Sequence, residues 1–270
     1  MKMELLFNIS DIAIVTGDNQ YKTKRDYLID FWKKNAKSDY EKYVNNLNYV
    51  KETDQDIINK ITNSNNIDIK KDLYKCINSK DTTVLNDVKK NIFSKMDGLN
   101  ENDKKEITKS INNLTNTRFG IKNENDVTKI YESMTGNTII KDNKYHKSMI
   151  YQTDIFSIFI GGKIDGFNNE DGSVIEIKNR VNKLLYNLRN YEKVQIMCYL
   201  HLFNSKKGHL VEAFKKDNNT LINIIEVLYD ENYINYIMEN LIKFSIFFVN
   251  FMNDNELKIK LIKNEDFVII

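Results

Sequence analysis

Asp165, Glu176 and Lys178 are the residues of this 270-residue chain whose types and spacing could do chemistry together. They lie in one stretch: Gly161-Gly-Lys-Ile-Asp165-Gly-Phe, a short Asn-Asn-Glu-Asp-Gly segment, then Ser173-Val-Ile-Glu176-Ile-Lys178. Two apolar runs around a turn rich in Asn, Asp and Gly predict a β-hairpin. Side chains alternate along a strand, so Glu176 and Lys178 share one face while Ile175 and Ile177 point into the core. Asp165, near the end of the preceding strand, reaches the same spot across the hairpin. Two carboxylates and an ammonium on rigid strands suit a hard, oxygen-ligated cation such as Mg²⁺. A charge inside an apolar strand is costly unless it is paired or metal-bound. The plainer reading is a turn cap at Asp165 and a solvated cross-strand ion pair.

The elements that must position these groups are legible as patterns. Asn8-Ile9-Ser10-Asp11 predicts an N-cap before a short helix that ends at Gly17. A second, amphipathic helix opens around Asn19 to Thr23 and runs through Tyr27, Leu28, Phe31 and Trp32. Ser10 at a helix start, with Lys22, Lys24 and Arg25 close by, could hold a phosphate; an ordinary cap followed by a basic turn is the alternative. Residues 36–104 carry short helical patterns with mixed charge and read as a helical insertion or subdomain. From 104 a longer helix begins, with an apolar stripe at Val127, Ile130, Tyr131 and Met134 and with Glu124 on its first turns.

Strands are expected at 138–140, 148–153 and 156–165 before the hairpin, then a helix over 188–203. On that helix Gln195 and Tyr199 are four apart and share a face. Strands at 209–214 and 221–228, a long apolar helix over 232–253, and an alternating tail (Leu257, Ile259, Leu261) that would pair with a sheet edge complete the pattern. This order predicts an α/β (α+β) fold, a central mixed β-sheet flanked by helices. The division is 1–35, the N-terminal helices of the core; 36–104, the insertion; and 105–270, the main core.

With 40 Lys and Arg against 38 Asp and Glu, the net charge is only +2, so a nucleic-acid site must be a local patch. Two distant cysteines, Cys76 and Cys198, and three dispersed histidines argue against structural zinc or a disulfide scaffold. No apolar run approaches membrane-spanning length, the longest being around Phe244 to Met252, so the chain is expected to be soluble and intracellular.

Set in order, Gly120-x-x-x-Glu124, Gly162-x-Ile-Asp165-Gly, Glu176-x-Lys178 and Gln195-x-x-x-Tyr199 resemble the PD-(D/E)xK nuclease superfamily, specifically its RecB-type and lambda-exonuclease (YqaJ-like) branch. Ile9-Ser10-Asp11-Ile12-Ala13 and the later Asn19 to Lys22 look like the opening of lambda-type exonucleases. Glu176 to Arg180 with Tyr191 to Gln195 looks most like versions carried by large DNA viruses. The resemblance covers roughly 5–35 and 105–230.

It implies a restriction-endonuclease-like core and a Mg²⁺-dependent (or Mn²⁺-dependent) DNA exonuclease. Such an enzyme would work 5′-to-3′ on linear duplex and expose single strands for recombination, repair or replication. A structure-specific or single-strand endonuclease, or a non-catalytic DNA-binding or annealing partner, is the alternative. Asp165, Glu176 and the Ile177 carbonyl would hold the metal, two ions per site, with Glu124 supporting the second. Lys178 would orient the attacking water, Gln195 would orient Lys178 and the phosphate, and Tyr199 completes the motif. Ser10 falls where the family contacts a terminal 5′-phosphate. The family often has an Arg a few residues earlier; here only Lys2 is present, so either Lys22, Arg25 or Arg180 supplies the cation or selectivity for a 5′-phosphate is weak. The implied partners are DNA and a single-strand annealing protein, with no membrane and a trimeric ring as the family assembly. A viral source would place the chain in host cytoplasm or nucleus.

Overall fold

The computed structural model describes residues 2–217 and 219–269. It opens on strand β1 (Met3–Asn8), followed by a single 3-10 turn (Ile9–Asp11) and α1 (Ile12–Val15). Helices α2 (Lys24–Asn35), α3 (Lys37–Asn46), α4 (Asp54–Ser64), α5 (Lys70–Asn78), α6 (Thr82–Ser94) and α7 (Glu101–Thr135) follow. Then come β2 (Ile139–Ile140), β3 (His146–Gln152), β4 (Phe156–Gly162), β5 (Gly166–Asn168) and β6 (Val174–Arg180). The chain ends with α8 (Asn190–Leu202), β7 (Lys207–Lys216), β8 (Asn219–Leu228), α9 (Glu231–Met252) and α10 (Asn255–Lys263).

The expected α/β class holds, with mixed sheets flanked by helices, but the strands divide between two sheets. One has the order β1-β4-β3, with β1 parallel and β3 antiparallel to β4. The other has the order β2-β5-β6-β7-β8, parallel only between β6 and β7. The predicted hairpin is β5–β6, with Gly166 opposite Ile175 and Phe167 opposite Val174. The strand expected over 156–165 therefore breaks: β4 ends at Gly162 in the first sheet, and Lys163 to Asp165 cross to the second. Asp165 sits at that seam.

Local chemistry explains the helix ends. Thr23 caps α2 by accepting from the Asp26 N–H, and Asn100 caps α7 by accepting from the Asp103 N–H. Gly136, at φ +74°, closes α7 in the left-handed conformation that glycine tolerates. At 35 residues α7 is about 52 Å long.

An aromatic core ties β1 to α2 and α9. Phe31 packs on Phe7 at 4.6 Å and on Phe248 at 4.9 Å between ring centroids, and Trp32 packs on Phe251 at 5.1 Å. A second apolar cluster, including Ile58, Leu73, Leu85, Ile92, Ile107 and Phe119, joins α4, α5 and α6 to the first half of α7. A third packs Val127 and Tyr131 of α7 onto Ile175 and Ile177 of β6. One helix thus spans both the helical lobe and the strand that carries Glu176.

Several expectations need correction. Strand β1 has no counterpart in the sequence reading. Its residues Leu5 and Phe7 alternate inward, but six residues are too short a run to separate strand from loop by pattern alone. Glu124 lies deep inside α7, not on its first turns, because the helix begins at Glu101. Met134 leaves the predicted stripe and is exposed. The tail is helix α10 and not an edge strand: Asp254 caps it by accepting from the Leu257 N–H, and Leu257 and Leu261 fall one turn apart. Among the described residues no helix is long and apolar enough to cross a membrane.

Candidate active site

Strand β6 lies between β5 and β7, with α7 on one face and α8 on the other. Ile175 and Ile177 fill the α7 face. Glu176 and Lys178 turn to the α8 face, where Gln195 waits. The Lys178 Nζ donates to Glu176 Oε1 at 2.8 Å and to Gln195 Oε1 at 2.9 Å. Gln195 Nε2 donates to the same Glu176 oxygen at 2.9 Å. The three side chains close a hydrogen-bonded triangle. Burial disfavours charge on Lys178, but Glu176, with help from Asp165 and Glu192, more than offsets it and holds the ammonium's pKa above its ordinary value.

Asp165 joins from the seam. Its Oδ2 accepts from the Ile177 N–H at 2.6 Å, which pins the carboxylate against the strand two residues from both Ile175 and Asn179. Burial, then the Glu176 charge, with a smaller push from Glu124, raises its pKa to about 8. Glu124 faces the same cleft from α7 and is 3.5 Å from Lys141 Nζ. The cleft holds about 310 Å³ and is walled by Gly120, Glu124, Asp165, Glu176, Lys178 and Tyr191, among others.

Two glycines let these pieces meet. A Cβ on Gly162 would lie 2.8 Å from the Tyr199 hydroxyl, which donates to the Lys163 carbonyl at 2.5 Å. A Cβ on Gly166 would lie 2.4 Å from Ile139 Cγ2 and 2.8 Å from the Ile140 carbonyl. Tyr199 is therefore a buried brace from α8 to the seam, holding the backbone just ahead of Asp165. The room at Gly162 goes to a side chain; that at Gly166 goes partly to backbone.

Among the described residues no three His, Cys, Asp or Glu side chains converge as a ready-made metal cluster. The donors here are two carboxylates and a main-chain carbonyl. Their chemistry nevertheless fits a hard divalent cation: all are oxygens, and the Asp165 carboxyl is forced toward its protonated form by burial and by the Glu176 charge, which a cation would offset. Asp165, Glu176 and the Ile177 carbonyl would hold such an ion.

Of the other predicted residues, only Arg180 is among the walls of this cleft. Ser10 lies exposed in the three-residue 3-10 turn, which has no side-chain cap at its start and offers no helix N-terminus. Lys22 pairs with Asp30 at 2.9 Å and stands 3.8 Å from Asp11. Arg25 is committed elsewhere: its guanidinium donates to the carbonyls of Lys260, Leu261 and Glu265, closing the C-terminus of α10. Arg180 borders the cleft, but its guanidinium is consumed by two carboxylates, Glu192 at 2.6 Å and Glu212 at 2.6 Å. Arg25 and Arg180 thus both spend donors on the protein itself.

The Arg180 clamp is what sequence reasoning missed. Glu192 of α8 and Glu212 of β7 both have fully buried side chains. Burial opposes ionisation of Glu192, yet Arg180 outweighs it and lowers the pKa. Glu212 also accepts from the Tyr186 N–H and from Asn223 Nδ2, tying down the loop after β6. Residues 176, 178 and 180 of β6 thus meet residues 195 and 192 of α8 as successive rungs. A glutamate in the apolar run Leu-Val-Glu-Ala-Phe was the available signal, the same cue that singled out Glu176.

No family model matches the sequence, and no curated protein matches it. Solved structures give loose superpositions. A phage-related exonuclease from Haemophilus somnus 129PT is 9% identical at TM-score 0.40, covering 98% of this chain and 94% of that one. An alkaline exonuclease from Laribacter hongkongensis is 14% identical at TM-score 0.37, over 70% of this chain and 88% of that one. A complex of that exonuclease with dAMP gives 14% identity and TM-score 0.39, over 72% and 92%. Similarity at these levels leaves every residue assignment to the geometry of the site itself.

Proposed function

We propose that the chain is a metal-dependent deoxyribonuclease that hydrolyses phosphodiester bonds as an exonuclease. The observation that carries this reading is the Glu176–Lys178–Gln195 triangle with Asp165 beside it, at one end of an open cleft. A divalent cation bound there neutralises charge on the attacking and leaving oxygens of a phosphodiester. The protein's own groups do the rest. Lys178 spends two of its three N–H groups on Glu176 and Gln195, leaving one to orient a water or a phosphate oxygen. Gln195 holds that ammonium in place, and Tyr199 fixes the segment that carries Asp165. Lys178 compensates Glu176, so the second buried carboxylate, Asp165, is the costly one unless a ligand uses it.

The finer reading follows the sequence motif: Mg²⁺ or Mn²⁺ as the metal, linear duplex as substrate, and digestion from 5′ ends to expose single strands. Glu124 would support a second ion. An annealing protein and a trimeric assembly belong to the same reading.

The test is digestion of end-labelled linear duplex and covalently closed circles, with Mg²⁺ and with EDTA. The expected outcome is mononucleotides from the linear form, survival of circles, and no product in EDTA. Linear product appearing from closed circles would replace the exonuclease with an endonuclease; cleavage in EDTA would remove the metal.

A further inference from the structure

Six charged side chains among the described residues are buried: Asp72, Lys89, Glu176, Glu192, Glu212 and Lys258. Five have an opposite charge within ion-pair distance. Asp72 meets Lys95, Glu176 meets Lys178, Glu192 and Glu212 share Arg180, and Lys258 meets Asp39. Lys89 has none. Its Nζ, 6% exposed as a residue, donates to Asn112 Oδ1 at 2.9 Å and to Asn116 Oδ1 at 2.8 Å, both neutral. Burying a cation without a counter-charge is expensive, and two amide oxygens do not neutralise it. That cost is visible in its pKa, which burial lowers to about 8.

Lys89 lines a cleft of about 680 Å³ between α6, α7 and the segment after β6. No acidic residue is among its described walls; Lys90 and Lys109 add two more cations. With their oxygens turned to Lys89, Asn112 and Asn116 keep amide N–H donors to offer. Asn116 also belongs to the wall of the carboxylate cleft, so the two hollows adjoin. On its wall stands Tyr21, 57% exposed, its hydroxyl held by Arg189 at 2.8 Å and its ring edge-on to Tyr191 at 5.7 Å. Phe93 supplies a second aromatic wall.

We infer that this cleft is a phosphate-binding track for an unpaired polynucleotide strand, with Lys89 as its buried anchor and Tyr21 as a stacking platform at its mouth. An anionic backbone supplies the charge that Lys89 lacks, and exposed aromatics beside cations are the means by which proteins hold single strands. The inference rests on the nuclease reading only for where the strand leads, to the carboxylate cleft that this one adjoins at Asn116 and through the Tyr21–Tyr191 ring contact. The phosphate site itself stands on the uncompensated lysine.

The experiment is fluorescence anisotropy of a 5′-hydroxyl oligothymidylate with the full-length protein in EDTA, over a salt series. Lys89→Met is expected to weaken binding about tenfold and to lower the salt slope by about 0.7, the share of one phosphate contact on a single strand. Lys89→Arg restores both. Should Lys89→Met melt early, Lys109→Gln on the exposed wall carries the same slope test. Equal affinity and slope in wild type and variants would overturn the track. So would a Lys89-dependent rise in Tm with inorganic phosphate alone and no oligonucleotide binding, which marks a free-phosphate site. Cleavage of linear duplex is scored separately. Loss of binding in Lys89→Met without any wild-type cleavage would leave the track standing and remove the nuclease. Robust cleavage with unchanged binding would do the reverse.

Discussion

Lys178 Nζ and Gln195 Nε2 both donate to one oxygen, Glu176 Oε1, at 2.8 and 2.9 Å, while Lys178 also donates to the Gln195 carbonyl. Gln195 is therefore the one side chain that touches both charged partners, accepting from the base and donating to the acid. An amide does this without adding charge; a carboxylate or an amine at that position could make only one of the two bonds.

Gln195→Ala is expected to lower kcat about ten- to a hundredfold, the effect of losing about 1.5–3 kcal/mol of charge-assisted hydrogen bonding that positions Lys178. KM for DNA should change little, because the amide holds a catalytic group and not the backbone. Gln195→Glu should be worse than Gln195→Ala, since it adds a third acid to a crowded pair. Steady-state kinetics on linear duplex separates the two. A KM effect with unchanged kcat would make Gln195 a substrate contact instead.

Metal removal gives a sharper outcome. Asp165→Asn and Glu176→Gln should each abolish cleavage and leave the far-ultraviolet circular dichroism and DNA binding close to wild type. Ca²⁺ should support binding without turnover, because it accepts oxygen ligands but places water loosely. Turnover by the double variant Asp165→Asn/Glu176→Gln would place the chemistry elsewhere.

The pH dependence follows from Asp165. Burial, then Glu176, raises its carboxyl from 3.8 to about 8. The folded, metal-free protein keeps this proton over a range in which the unfolded chain has lost it. Its contribution to stability is complete below about 3.8 and disappears as pH rises through about 8. Calorimetry in EDTA should therefore show Tm falling across that interval, and Asp165→Asn should flatten the fall. Metal affinity runs the other way, rising about tenfold per pH unit up to the same point, because the ion displaces the proton. A metal affinity independent of pH would mean that Asp165 is already ionised.

The convergence of the carboxylates, Lys178 and Gln195 was legible because its signal is local. Asp165, Glu176 and Lys178 sit within one hairpin, and Gln195 and Tyr199 within one helix, so spacing alone aligns them. The Arg180 clamp was not legible because its partners come from α8 and β7, 12 and 32 residues away along the chain. Pairing β6 beside β7, with Lys178 opposite Glu212, is what brings them together. A free arginine next to a catalytic lysine reads as a DNA contact until that register is known. Lys89 was invisible for the same reason: its partners are 23 and 27 residues away on α7.

Arg180→Met should then report on stability and not on DNA. Removing the guanidinium leaves Glu192 and Glu212 buried without a counter-charge, a loss of about 3–5 kcal/mol. Urea denaturation should show that drop, and the salt slope of DNA binding should stay at the wild-type value. Replacing both acids together with Arg180 by apolar residues should recover much of the loss. A reduced slope with intact stability would return Arg180 to the DNA-binding surface.

The end of the DNA offers the last test. Recognition of a terminal 5′-phosphate needs donors and a free cation near Ser10. The 3-10 turn there spans only three residues, the last of which is Asp11. Of the cations the motif offers, Lys22 is engaged with Asp30, Arg25 with the end of α10, and Arg180 between two glutamates, while Lys34 donates to Asn8 Oδ1 at 2.6 Å. A phosphate at Ser10 would have to draw a cation out of one of these contacts, Lys34 from Asn8 included, and an exposed hydroxyl alone returns about 1 kcal/mol. Linear duplexes with a 5′-phosphate and a 5′-hydroxyl should therefore be degraded at rates within about fivefold of each other. Ser10→Ala should leave that ratio unchanged. The measurement is initial rates on matched substrates under Mg²⁺. A preference of a hundredfold that Ser10→Ala erases would mean that Lys22 or Arg25 leaves its partner when DNA arrives, and would restore the end-phosphate pocket that the sequence motif implies.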